Sequence, residues 1–165
     1  MQADMIRPAR EPDLPAILAI YNAVIASSTA VYTETPATLA DRHDWLQARS
    51  EQGYPVLVAE ERGEVVGYAS FGDFRPWPGY RHTVEHSVHI RDGQRGKGIG
   101  SALVSALFPL AAELGKHVMI AGIDAANVGS LRMHERLGFE EAGRFREVGR
   151  KFDRWLDLVI LQRFL

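Results

Sequence analysis

Apolar positions along the chain follow two rhythms, one near 3.6 residues and one near 2. Leu14, Ile17, Leu18, Tyr21 and Ile25 recur at helical spacing. Asp13 in front of them and Pro15 in the first turn are start signals, so a helix is predicted from about residue 14. Thr38 and Asp41 form a capping arrangement for a second helix through about Glu51, which Gly53-Tyr54-Pro55 ends. Met5–Pro8 reads as a short first strand, and Val56–Glu61 and Val65–Phe71 as a hairpin turning at Arg62-Gly63-Glu64. Thr83–Ile90 and His117–Asp124 are further strands, and two more are expected near Ala142–Arg146 and Trp155–Phe164. Leu103, Ala106, Leu107, Leu110, Ala111 and Leu114 make a helical stripe closed by Gly115. Pro109 inside that stripe should kink the helix or cost roughly 3 kcal/mol. Asn127 and Ser130 open a short helix that ends at Gly138. Residues 28–37 read as a loop, and 72–81, rich in Pro and aromatic side chains, as irregular throughout. The order predicts a mixed α/β sheet domain.

Composition narrows the class. At 165 residues, with 46% hydrophobic and 24% charged, the chain is one domain's worth of ordinary globular protein, and residues 1–165 show no linker or repeat. A net charge of −2 gives no sequence-wide basic field for nucleic acid. No cysteine is present, which excludes disulfides, thiolate metal sites and a Cys nucleophile. With no apolar leader and no run of membrane-spanning length, a cytoplasmic protein without membrane partners is expected.

Chemistry gathers at residues 88–103. A strand runs out at Ile90, a polar turn follows, and Gly96, Gly98 and Gly100 precede a helix. Such glycines let main-chain N–H groups turn toward a ligand, and a helix start adds unpaired amides and positive dipole. Arg95 and Lys97 add charge, so the product is a cradle for phosphate or pyrophosphate. It is not a P-loop, because Gly98 follows Lys97 and Arg91 stands where the first glycine would be. It is not the dinucleotide fingerprint, which would need glycine at Ser101 or Leu103. A glycine-rich helix start without a ligand is the plain alternative. In the strand feeding the cradle, Thr83, Glu85, Ser87 and His89 share one face, and Val84, His86, Val88 and Ile90 the other. Glu85, a carboxylate beside a ligand cleft, is a candidate for chemistry; its ordinary reading is a solvated strand face. His82 and His86 share a face that excludes His89, so no metal site is expected.

Arg95-Gly96-Lys97-Gly98-Ile99-Gly100 resembles the Arg/Gln-x-x-Gly-x-Gly/Ala motif of the GNAT acetyltransferases. Asn127-Val128-Gly129-Ser130 with the Leu137-Gly138-Phe139 ending resembles the second motif of that superfamily. Met133-His134-Glu135, residues 31–36, 80–88 and 149–158 resemble the phosphinothricin N-acetyltransferase branch, and its bacterial members acting on methionine sulfoximine and methionine sulfone. The resemblance covers nearly the whole chain. It implies a mostly antiparallel twisted sheet, splayed at the acetyl-CoA site and flanked by about four helices, and a homodimer.

The resemblance also implies roles. Acetyl-CoA is the co-substrate, without a metal. Gly96, Lys97, Gly98, Ile99, Gly100 and Ser101, with Arg95, would hold its pyrophosphate. Val88, His89 and Ile90 would bond the pantetheine arm by main-chain groups, Val88 N–H would serve the oxyanion, and Asn127 would bond the arm. Glu85 would be the general base for an α-amino group, with a pKa raised by burial. His134 stands where other members place the tyrosine that protonates the leaving thiolate; a packed helix histidine is the alternative. Phe74, Arg75, Pro76, Trp77, Tyr80, Arg81, Glu85, His86 and Ser87 would meet a small amino-acid substrate, the arginines suiting its oxygen-rich groups and Phe74, Trp77 and Tyr32 its methyl end. Rival readings are a GNAT enzyme for a polyamine or a protein N-terminus, a non-catalytic acyl-CoA sensor, and a nucleotide-binding regulator.

Overall fold

The computed structural model describes residues 5–165. Seven strands form one sheet in the order β1-β2-β3-β4-β5-β7-β6, where β1 is Met5–Pro8, β2 Val56–Glu61, β3 Glu64–Asp73, β4 Thr83–Ile90, β5 Val118–Asp124, β6 Glu140–Lys151 and β7 Arg154–Phe164. Every neighbouring pair is antiparallel except β4 with β5. Four helices flank it: α1 Leu14–Ser27, α2 Leu39–Gln52, α3 Ile99–Glu113 and α4 Val128–Arg136. The expected mixed, mostly antiparallel sheet with four helices is what the chain forms. No helix among the described residues is long and apolar enough to cross a membrane.

The two sheet faces carry separate cores. On one, Leu14, Ile17 and Ile20 of α1 bury against Val58 and Tyr68, with Trp45 and Leu46 of α2 at the margin. On the other, Ile99, Leu103, Val104, Leu107 and Ala111 of α3 bury against Val84, Met119 and Ala121. Each fully buried aliphatic side chain contributes roughly 1.5–3 kcal/mol. Four of them on α3 outweigh the roughly 3 kcal/mol that Pro109 costs. The helix runs unbroken through Pro109. Both Pro109 and Ser105, whose carbonyl loses its helical donor, lie on the exposed side of the helix.

Three local expectations change. The 72–81 segment is not irregular throughout: Gly72 and Asp73 finish β3, paired with Glu85 and Val84, and Pro78–Tyr80 form a 3-10 turn. Asp13 precedes α1 but does not cap it with its side chain. Its carboxylate takes two hydrogen bonds from Arg7 (2.8 and 2.9 Å) and one from Arg10 N–H (2.7 Å). The last two strands are longer than expected, with irregularities between Glu141 and Gly143 and between Phe145 and Gly149 that let β6 follow β7. The capping boxes do form where predicted on α2: Thr38 accepts from Asp41 N–H and Asp41 from Thr38 N–H.

Candidate active site

The cleft begins where two strands part. Parallel pairing of β4 with β5 is confined to Thr83–Glu85 against Val118–Ile120. On its other edge β4 stays paired to β3 through Ile90. The ladder there is bracketed by Phe74 N–H on Thr83 carbonyl and Arg91 N–H on Val66 carbonyl. In an antiparallel pair the hydrogen-bonded residues alternate, so the odd residues of β4 spend their main-chain groups on β3. The even ones face β5. Beyond Glu85, β5 has diverged, and Val88 and Ile90 direct N–H and C=O into the gap. His89 does not: its main-chain groups face β3, and its ring packs edge-on against Tyr21 and tilted against Tyr68 (centroids 6.0 and 5.5 Å). Burial pushes its pKa down to about 4. A cavity of about 80 Å³ fills the gap, with Val88, Gly122, Asp124, Asn127 and His134 in its wall.

The cradle lies at the open end of this gap. Gly96 and Gly98 hold φ of 79° and 80°, the left-handed region that costs other L-residues energy. Gly98 sits at the start of α3, and Ala102 N–H is bonded to its carbonyl (3.0 Å). The N–H groups of Ile99, Gly100 and Ser101 precede any helical partner, and a β-carbon at Gly96 or Gly98 would meet nothing within 4 Å. The surface is therefore open, amide-lined and positive, as a pyrophosphate requires. Lys97 Nζ rests on Gln94 Oε1 (2.9 Å) and Arg95 on Asp92 (3.3 Å), both beside the amides. Gly100 has a packing reason instead: a β-carbon would stand 3.2 Å from Met133 Sδ on α4.

Asn127 is the first-turn cap of α4, its Oδ1 accepting from Ser130 N–H (3.2 Å). That bond fixes the amide so that its NH₂ is the end left for a ligand.

Glu85 stands at the last paired position before the strands part. Gly122 of β5 makes room for it, since a β-carbon there would lie 3.3 Å from Glu85 Oε2. The side chain is open to solvent on one side and crowded on the other. Burial of the carboxyl raises its pKa, and the nearby Arg75 guanidinium partly offsets the rise.

Opposite the Glu85 face, His86 is 8% exposed and turns toward α4. Its Nε2 lies 3.1 Å from His134 Nε2, and His134 Nδ1 lies 2.7 Å from Ser130 carbonyl. A carbonyl only accepts, so His134 carries its proton on Nδ1, and His86 donates from Nε2 to His134 Nε2. His86 Nδ1 is then a buried lone pair without a partner among the described residues. Burial lowers the pKa of both rings. Both shifts favour the neutral rings and so work against His134 serving as an imidazolium acid.

The substrate-facing candidates are loosely arranged. Arg75 lies over the Phe74 ring (4.9 Å), Phe74 meets Tyr80 edge-on (5.8 Å), and Trp77 is 72% exposed. Arg81 donates to Pro78 carbonyl (3.1 Å), Pro76 is exposed, and Ser87 lines the cavity. Tyr32 is seated against β6 and β7, its hydroxyl on Asp157 carbonyl (3.2 Å) and its ring over Gly149. Among the described residues, no group of three or more His, Asp or Glu could hold a metal ion.

One cleft residue lay outside sequence reasoning. Asp124, at the end of β5, is buried and lines both the cavity above and an adjoining one of about 310 Å³ that includes Thr29 and Arg154. Its carboxylate accepts from Thr29 hydroxyl and Ala126 N–H. No spacing to Glu85 marks it, because their neighbourhood is created by strand pairing.

Comparison with known proteins agrees with this geometry. Residues 17–139 match the acetyltransferase (GNAT) family model. The chain is 54% identical over 158 residues to the L-methionine sulfoximine/L-methionine sulfone acetyltransferase of Pseudomonas paraeruginosa, covering 95% of this chain and 92% of that one. A ribosomal-protein-alanine N-acetyltransferase from Brucella melitensis superposes with a TM-score of 0.96 at 50% identity, covering 98% and 99% of the two chains. A phosphinothricin acetyltransferase from Sinorhizobium meliloti, solved with acetyl-CoA, gives 0.96 at 40% identity, covering 100% of this chain and 89% of that one. Parted strands, a glycine amide cradle and this likeness meet in one conclusion: the chain belongs to the GNAT acetyltransferase family and is an acetyl-CoA-dependent N-acetyltransferase.

Proposed function

We propose that the enzyme acetylates the α-amino group of a small amino acid bearing a second oxygen-rich group, such as methionine sulfone, methionine sulfoximine or phosphinothricin, with Glu85 as general base. The observation that carries this is Glu85 itself: a carboxyl with a raised pKa, held in space cleared by Gly122, at the point where β4 and β5 part. The names of the Pseudomonas and Sinorhizobium relatives support the substrate class.

Acetyl-CoA, when bound, supplies the acetyl group as a thioester. The amides of Gly96 to Ser101 would hold its pyrophosphate, and the free main-chain groups of Val88 and Ile90, with Asn127, its pantetheine arm. Val88 N–H is also the donor available to negative charge developing on the acetyl oxygen. Glu85 takes one proton from the substrate ammonium. The freed amine forms the C–N bond as the C–S bond breaks; the nitrogen gives up its second proton to the leaving thiolate, and the proton on Glu85 passes to solvent. His134 and His86 hold the cleft wall in one tautomer. Arg75, in reach of the Glu85 field, is placed to meet the acidic end of the substrate.

The test is thiol release from acetyl-CoA by wild type and Glu85→Gln across methionine sulfone, methionine sulfoximine, phosphinothricin, methionine, spermidine and an alanine-leading peptide. Fast turnover of the first three, with a 10²–10⁴-fold loss in Glu85→Gln, is expected. Turnover of spermidine or the peptide alone would sink the substrate class.

Cytoplasmic location fits the supply of acetyl-CoA, and a homodimer fits the outer edge of the sheet. There β6 is exposed along most of its length, and Phe145, Val148 and Trp155 stand 54%, 57% and 60% exposed.

A further inference from the structure

Asp124 is a buried carboxylate without a cation. It is 6% exposed, and among the described residues no ion pair reaches it. Lys151, the buried ammonium at the end of β6, donates to Ser28 and Val31 carbonyls (2.6 and 2.8 Å). Asp124 Oδ1 holds one hydrogen bond, from Ala126 N–H (3.1 Å), and Oδ2 one, from Thr29 hydroxyl. A carboxylate offers about four acceptor directions, so two are left. Removing a charge from water without a counter-charge is costly, and proteins ordinarily pair such groups.

The missing partner is suggested by position. Gly122 and Asp124 are two residues apart on β5 and therefore face the same side, roughly 7 Å from each other. Glu85 Oε2 lies over Gly122 on that side. Two carboxylates thus stand next to each other on one face of the parted strands. Asp124 also lies where the cavity containing Val88 meets the one containing Arg154. A group lodged there is between the donor half of the cleft and the open side by which an acceptor arrives.

We propose that Asp124 binds the α-ammonium of the acceptor amino acid and delivers it to Glu85, with Thr29 orienting the carboxylate. The proposal rests on the reading of Glu85 as base. It gives the two acids different work: Asp124 grips the charged ground state, and Glu85 takes the proton. Once that proton has moved, the nitrogen is neutral and Asp124 has less to hold. Loss of Asp124 should therefore raise KM for the amino acid and spare kcat, the reverse of losing Glu85.

The experiment is calorimetric titration of coenzyme A-saturated wild type, Asp124→Asn and Glu85→Gln with two ligands, methionine sulfone and its N-acetyl derivative, which lacks the ammonium. Steady-state kinetics of the same proteins run beside it. Asp124→Asn should bind methionine sulfone at least tenfold more weakly, with N-acetyl methionine sulfone and the KM for acetyl-CoA within threefold of wild type. A structural defect would weaken both ligands alike, and that result, or unchanged binding of both, overturns the proposal. Should Asp124→Asn fail to fold, Thr29→Val decides the matter: a selective loss of two- to fivefold for methionine sulfone supports it, and equal effects on both ligands overturn it. If Glu85→Gln keeps its kcat while Asp124→Asn loses affinity selectively, the base assignment falls and the ammonium site stands.

Discussion

Replacing Gly122 by alanine tests the base without touching it. A glycine inside a strand is destabilising by roughly 0.5–1 kcal/mol relative to alanine, so Gly122→Ala gains that much in stability if the added methyl fits. The fit is nearly complete. The new carbon would lie 3.6 and 3.9 Å from Leu158 and Ile160 side chains, ordinary contacts, but 3.3 Å from Glu85 Oε2. The carboxylate alone has to yield, by a few tenths of an ångström. A 1 Å misplacement of a reacting group costs about 100-fold. Scaled logarithmically, 0.3–0.5 Å costs about 4- to 10-fold in kcat, or roughly 1 kcal/mol of barrier. The methyl also takes more water from Glu85, whose pKa burial already raises. Activity needs the ionised form and is lost as pH falls through that pKa, so the acid limb of kcat/KM moves to higher pH. The assay is a pH series of kcat/KM beside a thermal melt, with Gly129→Ala on exposed α4 as control. The expected pattern is a melting temperature equal to wild type or about 1–3 °C higher, a 4- to 10-fold lower kcat and an upward-shifted acid limb. A Gly122→Ala enzyme with kcat within twofold and an unmoved limb would refute the placement of Glu85 as base in that gap.

Gly98→Ala tests the cradle. Nothing within 4 Å opposes the methyl, so its cost is the left-handed backbone alone, roughly 1–2 kcal/mol, and a lower melting temperature with a raised KM for acetyl-CoA but not for the amine is expected. Gly129→Ala, with equal space and no positive φ, should stabilise by about 0.5–1 kcal/mol, and a loss of stability there would undo the comparison. Phe145→Ser with Trp155→Ser should turn a dimer into a monomer in sedimentation equilibrium, and a monomeric wild type would dispose of the edge-to-edge assembly.

What the sequence made legible was local. The glycine spacing at 96–100 and the stripe along α3 depend on residues a turn or two apart, and both read through directly. Strand alternation also placed His86 opposite Glu85, yet it stood among the substrate residues; its real partner, His134, is 48 positions away and was visible only once α4 was laid on the sheet. Asp124 reads in the sequence only as a strand end, for the same reason. Gly72 and Asp73 have poor strand propensity and read as loop, but pairing with Glu85 and Val84 holds them in β3. Asp13 satisfied the helix-start rule and went to Arg7 instead, since two charged hydrogen bonds outcompete one cap. In each case a long-range partner overrode a short-range preference.

The early parting of β4 and β5 carries a consequence for how such an enzyme diversifies. The groups it releases at Val88 and Ile90 belong to the peptide backbone, which every residue except proline supplies in full. Substitution at these positions therefore leaves the donor half of the reaction chemically unaltered so long as the strands still separate after Glu85. On the proposed reading the acceptor half is written in side chains, on the 74–81 loop, on Thr29 and on Asp124, where single replacements change charge and shape. At Val88 and Ile90 the cleft is buffered against mutation, and at the side-chain positions it is exposed to it, so new amines can be tried while these main-chain contacts are kept.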